Sequence, residues 1–259
     1  MFHRLLGLPD EVKARYDTSS LKVVLHGAAP CPVAVKQGML DWWGPVIWEY
    51  YGATEGGGTT ATPQDWLKYP GTVGSPWAIS ELKITDDDGS VVESGVPGTV
   101  WMKMGGQDFE YKGDKSKTDE NHDADGFFTV GDIGYLNEDG FLFLCDRKSD
   151  MIIAGGVNIY PAEIEGEILA HPGVGDVAVF GIPDDDMGEQ IKAVVEPAPG
   201  EQAGDDLRSS IMSHIEGRLA KFKWPKSIDF VDELPREPTG KLLKRQLRDP
   251  YWEGRDRAI

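Results

Sequence analysis

The chain has 259 residues, 40% of them hydrophobic, and a net charge of −18. That length allows one large domain or two smaller ones, no apolar run approaches the roughly eighteen residues of a membrane span, and the acidic balance argues against nonspecific binding to nucleic acid or an anionic membrane. Cys31 and Cys145 lie far apart and suggest neither a CxxC site nor a disulfide framework; the opening residues Met1 to Asp10 are interrupted too soon for a secretory signal, and a cytoplasmic protein is expected.

In chain order, residues 11–20 are expected to form a short polar helix or loop. Residues 21–26 are a β-branched strand that runs into Gly27-Ala28-Ala29-Pro30. A helix is predicted over 32–43 with Pro32 near its first turn. A strand over 46–51 ends at a glycine-rich loop, Gly52 to Thr60. Strand, helix, strand and loop make an α/β unit with its functional loops at one edge. From Gly71 to Cys145, short alternating strands at 81–84, 98–103, 126–130 and 141–144 suggest a small antiparallel barrel or folded sheet. Asp146-Arg147-Lys148-Ser149-Asp150 marks a boundary. After it come an apolar run, a Gly155-Gly156 turn, a short strand and a proline-started helix over 163–170. Strands follow at 174–180 and 190–196. Leu207, Ile211, Ile215 and Leu219 recur at i+4 and predict an amphipathic helix, and a third strand covers 226–231. Residues 218–259 hold eleven Lys/Arg against seven Asp/Glu, a basic tail on an acidic body that could face an anionic small molecule or simply be a solvated helical end.

Tyr51-Gly52-Ala53-Thr54-Glu55 is the first stretch that could carry chemistry. A strand ending in a glycine turn can present backbone N–H groups and the Thr54 hydroxyl to a phosphate. The Glu55 carboxylate can hold Mg²⁺ that bridges phosphate oxygens, and Tyr51 can stack on a base. The same five residues also describe a glycine-rich surface loop after a buried strand. Asp132, after Gly131, can accept hydrogen bonds from both ribose hydroxyls. His3, His26, His122, His171 and His214 show no metal-ligand spacing. The tryptophans are read as core or interface residues.

Tyr51 to Glu55 resembles the Tyr-Gly-x-Thr-Glu motif of the adenylate-forming enzymes, the superfamily of acyl-CoA synthetases, luciferases and peptide-synthetase adenylation domains. Other stretches agree, in the family order. Gly27-Ala28-Ala29 resembles the small-residue turn on the adenine face. Thr129-Val130-Gly131-Asp132 resembles Thr-Gly-Asp, with Val130 departing from threonine. Gly71 to Pro76 resembles a structural turn, Arg147 to Asp150 the hinge, and Gly155 to Pro161 the motif of the CoA ligases. Pro235 to Lys241 resembles the Pro-x-x-x-x-Gly-Lys loop.

The resemblance implies an acyl-CoA ligase that joins a carboxylic acid to AMP and then to CoA, using ATP, Mg²⁺ and coenzyme A, with no nucleic-acid partner and homo-oligomerisation left open. Gly27, Ala28, Ala29, Tyr51, Gly52, Thr54, Asp132, Arg147 and Lys241 would bind the nucleotide. Thr54, Glu55 and Lys241 would be catalytic, Glu55 would hold the metal, Ser149 would be the hinge, and Gly155 and Gly156 would meet CoA. Serine at the hinge departs from the usual aspartate or lysine, so a loosely held small domain is expected. The implied fold is the C-terminal part of an adenylate-forming enzyme, α/β and α+β. It comprises 1–146 (an α/β segment 1–70 and a β-barrel-like subdomain 71–146), hinge 147–150, and a small mobile domain 151–259. Nothing before Tyr51 resembles the family's phosphate loop, so the chain is expected to be part of a longer enzyme and inactive alone. Ala28, Ala29 and Gly56 to Gly58 are read as leaving space for a fatty or bulky acid. The alternatives are a noncatalytic nucleotide- or CoA-binding fragment and a luciferase-like oxygenase.

Overall fold

The computed structural model describes residues 1–105, 109–237 and 240–255. Contacts divide the chain into two units, Met1–Arg147 and Lys148–Ile259.

The first unit begins with helices α1 (Phe2–Leu6) and α2 (Asp10–Lys13), then strand β1 (Val24–His26). Helix α3 (Val33–Trp43), with Pro32 at its N-cap, returns the chain to β2 (Ile47–Gly52), parallel to β1. The glycine-rich stretch is not an open loop. It is a tight turn at 53–57 followed by β3 (Gly58–Ala61), antiparallel to β2. Helix α4 (Pro63–Lys68) starts with a reciprocal capping box between Thr62 and Asp65, and β4 (Ser75–Pro76) completes the order β1-β2-β3-β4. Met39, Leu40, Ile47 and Trp66 form the apolar core beside this sheet.

One side of that core is ionic. Lys36 on α3 is 0% exposed and Glu49 on β2 is 6% exposed. Their Nζ and Oε2 atoms are 2.6 Å apart, and the ammonium lies 5.2 Å from the centre of the Trp66 ring. A lysine this buried is tolerated only because a carboxylate and an aromatic face replace the water it has lost.

The second sheet holds β5 (Ser80–Thr85), β6 (Gly98–Met104), β7 (Asp132–Leu136) and β8 (Leu142–Arg147), antiparallel in that order, with α5 (Lys115–Glu120) between β6 and β7. The expected barrel is not formed. The outer edge of β8 pairs at Leu142 with Val73 and Gly74, on the approach to β4, instead of turning round to β5. The strand predicted at 126–130 is also absent. Gly126 and Gly131 both have φ near +80°, and only Phe128 between them makes ladder bridges, to Met102 and His122. Asp132 therefore opens a strand, β7, where the sequence suggested that it follows one.

The second unit opens with a 3₁₀ turn (Lys148–Asp150) and the hairpin of β9 (Ile152–Ala154) and β10 (Val157–Ile159). Helix α6 (Pro161–Leu169) leads to the long hairpin of β11 (Val174–Asp184) and β12 (Gly188–Pro197). After helix α7 (Asp205–Ile215), β13 (Ser227–Phe230) lies parallel to β12, and α8 (Lys244–Arg248) follows. The core joins Ile164 and Ile168 of α6 to Val177, Val179, Ala193 and Val195 of the sheet and to Leu207, Ile211 and Ile215 of α7. Leu219 extends the i+4 pattern but not the helix. Gly217, at φ 77°, ends the helical run, and Leu219 reaches the same core from the following turn. Among the described residues no helix is long and apolar enough to cross a membrane.

Breaking one side of the Lys36–Glu49 pair strands a buried charge. Lys36→Met and Glu49→Leu should each lower the unfolding free energy of the first unit by about 3–5 kcal/mol, and the double variant should recover most of the loss. Chemical denaturation of the three variants measures this; simple addition of the two losses would disprove the coupling.

Candidate active site

Two turns and one junction between strand ends carry the residues singled out in the sequence of the first unit. The first follows β1. Gly27 packs so closely on β2 that a Cβ there would lie 2.6 Å from the Tyr50 carbonyl oxygen and 2.8 Å from the Tyr50 ring. Ala28 has φ 68°, alone among the described non-glycine residues in having a positive φ. A left-handed alanine is strained by roughly 1–2 kcal/mol, and such strain clusters where backbone is held ready for a ligand. Ala28 and Ala29 are exposed.

The second turn follows β2. Gly52 and Thr54 are exposed and Glu55 is half-buried. Glu55 Oε1 accepts a hydrogen bond of 2.9 Å from the Tyr111 hydroxyl, a partner that the sequence did not announce. Gly56 to Gly58 do not provide open space, contrary to the reading of the sequence. All three are buried. A Cβ on Gly58 would lie 2.9 Å from the Trp77 ring, and one on Gly57 would lie 3.2 Å from Met102 Cβ.

The third piece joins the two sheets. The Tyr51 hydroxyl, at the end of β2, donates to Asp132 Oδ2 at 2.6 Å. Asp132 is paired across the ladder with Arg147, the last residue of β8, and Arg147 Nε lies 3.4 Å from Asp132 Oδ1. Burial, reinforced by the Asp132 charge, pushes the Tyr51 hydroxyl up, so it keeps its proton and acts as the donor. A carboxylate oxygen can accept from a diol, the role expected of Asp132. Val130, in place of the family's threonine, is partly buried against the apolar cluster that includes Val73 and Met102. The hydroxyl of Thr129 instead accepts from the Gly131 N–H at 3.1 Å and shapes the turn before Asp132.

Lys241, Ser149, Gly155 and Gly156 belong to the second unit. Gly155 and Gly156 have φ of 59° and 78° and form the two-residue turn between β9 and β10. The Gly155 N–H donates to the Met187 carbonyl at 2.8 Å. Lys241 is exposed on a loop closed by Glu237 N–H donating to its carbonyl at 2.9 Å. Arg236 braces that loop by donating to the Gly240 carbonyl at 2.6 Å while pairing with Asp176. Pro238 and Thr239 of the Gly-Lys motif lie outside the described residues. The Ser149 carbonyl accepts from Arg248 Nη1 at 3.1 Å.

Residues 1–107 match the AMP-binding enzyme family, and residues 163–241 match the AMP-binding enzyme C-terminal domain. The chain is 35% identical to a fatty acid–[acyl-carrier-protein] ligase, ScoC, of Streptomyces coeruleorubidus, over 94% of this chain and 47% of that protein. It is 37% identical to a long-chain-fatty-acid–CoA ligase of Bacillus subtilis, over 92% of this chain and 42% of that one. Among solved structures, ATP-bound MatB of Rhodopseudomonas palustris superposes with a TM-score of 0.85 at 34% identity, over 96% of this chain and 49% of MatB. The chain thus spans about half the length of the proteins it matches.

His26 ends β1, immediately before the Gly27 turn. Its Nε2 is 3.4 Å from Glu49 Oε2 without being aligned for a hydrogen bond. Burial, with Lys36 adding to it, pulls the ring from 6.5 down to about 4. The folded chain therefore holds His26 neutral, while the unfolded chain takes up a proton first as the pH falls. Its contribution to stability is complete above the unfolded value and is lost as pH falls from there towards the folded one. His26→Gln should flatten the fall in denaturation midpoint between pH 6.5 and 4; parallel curves for the two proteins would remove His26 from the acid response.

Proposed function

Since the chain belongs to the AMP-binding family of adenylate-forming enzymes, we propose that the protein activates a carboxylic acid with ATP and passes the acyl group to CoA. The observation that carries this reading is the Tyr51–Asp132–Arg147 contact, in the same unit as the strained Ala28 turn whose Gly27 packs on Tyr50. A fatty or other hydrophobic acid is the substrate proposed, the class named for the similar ligases. ATP and CoA are supplied in the cytoplasm, which suits a chain with no membrane-crossing helix among its described residues.

In this reading the acid carboxylate attacks the α-phosphorus of ATP, and pyrophosphate leaves with the electrons of the broken P–O bond. The CoA thiol, losing its proton, then displaces AMP from the acyl carbon. Tyr51 and the Gly27-Ala28-Ala29 turn present flat surfaces to the adenine, with Gly52 leaving its backbone accessible. Asp132, fixed by Tyr51 and Arg147, accepts from the ribose hydroxyls. Thr54 donates to the α-phosphate. Lys241 places a cation where the acid carboxylate and α-phosphate meet, so it acts on charge that develops in the first step. Gly155 and Gly156 let the CoA arm approach the backbone. Rotation about Ser149 exchanges the Lys241 loop for that hairpin, because a two-step reaction needs both in turn.

Glu55 fits a magnesium ion: it is a hard oxygen ligand, half-buried, on a turn assigned to phosphate. The described residues hold no cluster of three or more groups able to bind a metal by themselves. Mg²⁺ held by one carboxylate and substrate phosphates needs no such cluster, and when bound it would neutralise phosphate charge.

Pyrophosphate exchange into ATP by the complete protein should require a long-chain fatty acid, and CoA should release AMP and thioester. Exchange that is indifferent to added acid would overturn the reading. Lys241→Ala should slow acyl-AMP formation by roughly 3–4 kcal/mol of transition-state stabilisation while sparing thioester formation from supplied acyl-AMP. An equal fall in both half-reactions would contradict the role given to Lys241.

A further inference from the structure

Glu55 is the single carboxylate in the turn 53–57, and no motif explains why the structure gives it a tyrosine. The Tyr111 hydroxyl donates to Glu55 Oε1 at 2.9 Å, across 56 residues of sequence. Tyr111 is itself fixed from several sides. Its backbone N–H donates to Thr118 Oγ1 at 2.9 Å, and its carbonyl accepts from the Asp114 N–H at 3.1 Å. Lys117 Nζ sits 4.6 Å from the ring centre. Phe109 meets the ring edge-on at 5.2 Å and in turn meets Phe128, in the core of the second sheet, edge-on at 5.0 Å. Helix α5 and the Phe128 core thus hold a phenol against a carboxylate that belongs to the first sheet.

We propose that Tyr111 is a positioning residue for Glu55, holding its carboxylate in the orientation that receives the magnesium–phosphate group. This rests on the assignment of Glu55 made above. Two physical effects compete. The hydrogen bond withdraws some charge from the carboxylate, which weakens its attraction for a cation. It also removes the rotamer freedom of a long side chain, which otherwise has to be lost on binding and amounts to as much as about 1.5–2 kcal/mol for a glutamate. Positioning prevails because the phenol occupies Oε1 alone. A carboxylate has two oxygens and about four lone-pair sites, and no other described residue bonds to Glu55, so Oε2 is left to the ligand. Burial and the Glu55 carboxylate both push the Tyr111 hydroxyl up, so it remains a proton donor.

Tyr111→Phe removes only the hydroxyl and keeps the ring contacts with Phe109 and Lys117. Calorimetric binding of ATP to the complete protein over a series of Mg²⁺ concentrations, with metal-free AMP as reference, tests the proposal. The variant should raise the Mg²⁺ concentration for half-maximal ATP affinity by about five-fold, the scale of one ordinary net hydrogen bond. Its AMP affinity and thermal midpoint should match the wild type, a split that a purely structural tyrosine would not produce. Parallel losses of AMP affinity and stability would make Tyr111 structural, and a lowered Mg²⁺ requirement would make it a competitor of the metal; either overturns the proposal. Glu55→Gln separates the two readings. If it raises the Mg²⁺ requirement while Tyr111→Phe does not, positioning fails and the metal assignment stands. If Glu55→Gln leaves the requirement unchanged, the assignment of Glu55 fails.

Discussion

A carboxylate in the middle of the first sheet fixes what surrounds it. Glu49 lies on β2, between Ile47 in the apolar core and Tyr51 at the site, and it is almost fully buried. Desolvating a carboxylate and an ammonium costs several kcal/mol for each ion, and only close geometry offsets this. The 2.6 Å contact to Lys36 supplies that geometry, and it works in a single register of α3 on the sheet. A slip of β2 by one residue would turn Glu49 to the other face and leave Lys36 without its partner. The same register sets Glu49 beside His26 on β1, and so fixes where Gly27 meets Tyr50.

From that strand the order passes to the second sheet through one hydrogen bond. Tyr51 leaves β2 pointing at Asp132, and Asp132 is the first residue of β7, opposite Arg147. Two further contacts reinforce the junction: the ladder bridge between Gly74 and Leu142, and the Thr72 hydroxyl on the Leu142 carbonyl at 2.8 Å. These contacts also explain why the second sheet stays open. The edge that would close a barrel is already used to attach the first sheet. A Cβ on Gly74 would sit 2.0 Å from the Thr60 backbone, so that attachment requires glycine.

The parts of this arrangement visible in the sequence were those with local causes. Pro32 marks the start of α3, the paired glycines at 155 and 156 mark a two-residue hairpin turn, and periodicity marks α7. Tyr51, Asp132 and Arg147 were each visible through short motifs, but their mutual contact was not, because 81 residues separate the first two. Tyr111 was invisible: it lies in a polar stretch without pattern, and its importance comes only from where the fold brings it. The glycines at 57 and 58 were misread because a missing side chain in a sequence does not say who fills the room. Here Trp77 does, with its Nε1 donating to Thr60 at 2.8 Å. They are sites of close packing, not of vacancy.

The chain leaves one unit and enters the other between two anchored residues, and this bears on the hinge. Serine at 149 gave reason to expect a loosely held small domain, since its side chain has no charge to fix a state. The backbone at this position makes a contact within the second unit. Arg248 donates to the Ser149 carbonyl, and its Nη1 also lies 3.6 Å from Asp150. The Arg248 side chain is only 13% exposed and that of Asp150 only 24%, so these charges are screened less than a surface pair and hold more strongly. On the other side, Arg147 is tied to Asp132. A rotation about Ser149 would have to break the Arg248 contact or carry it along.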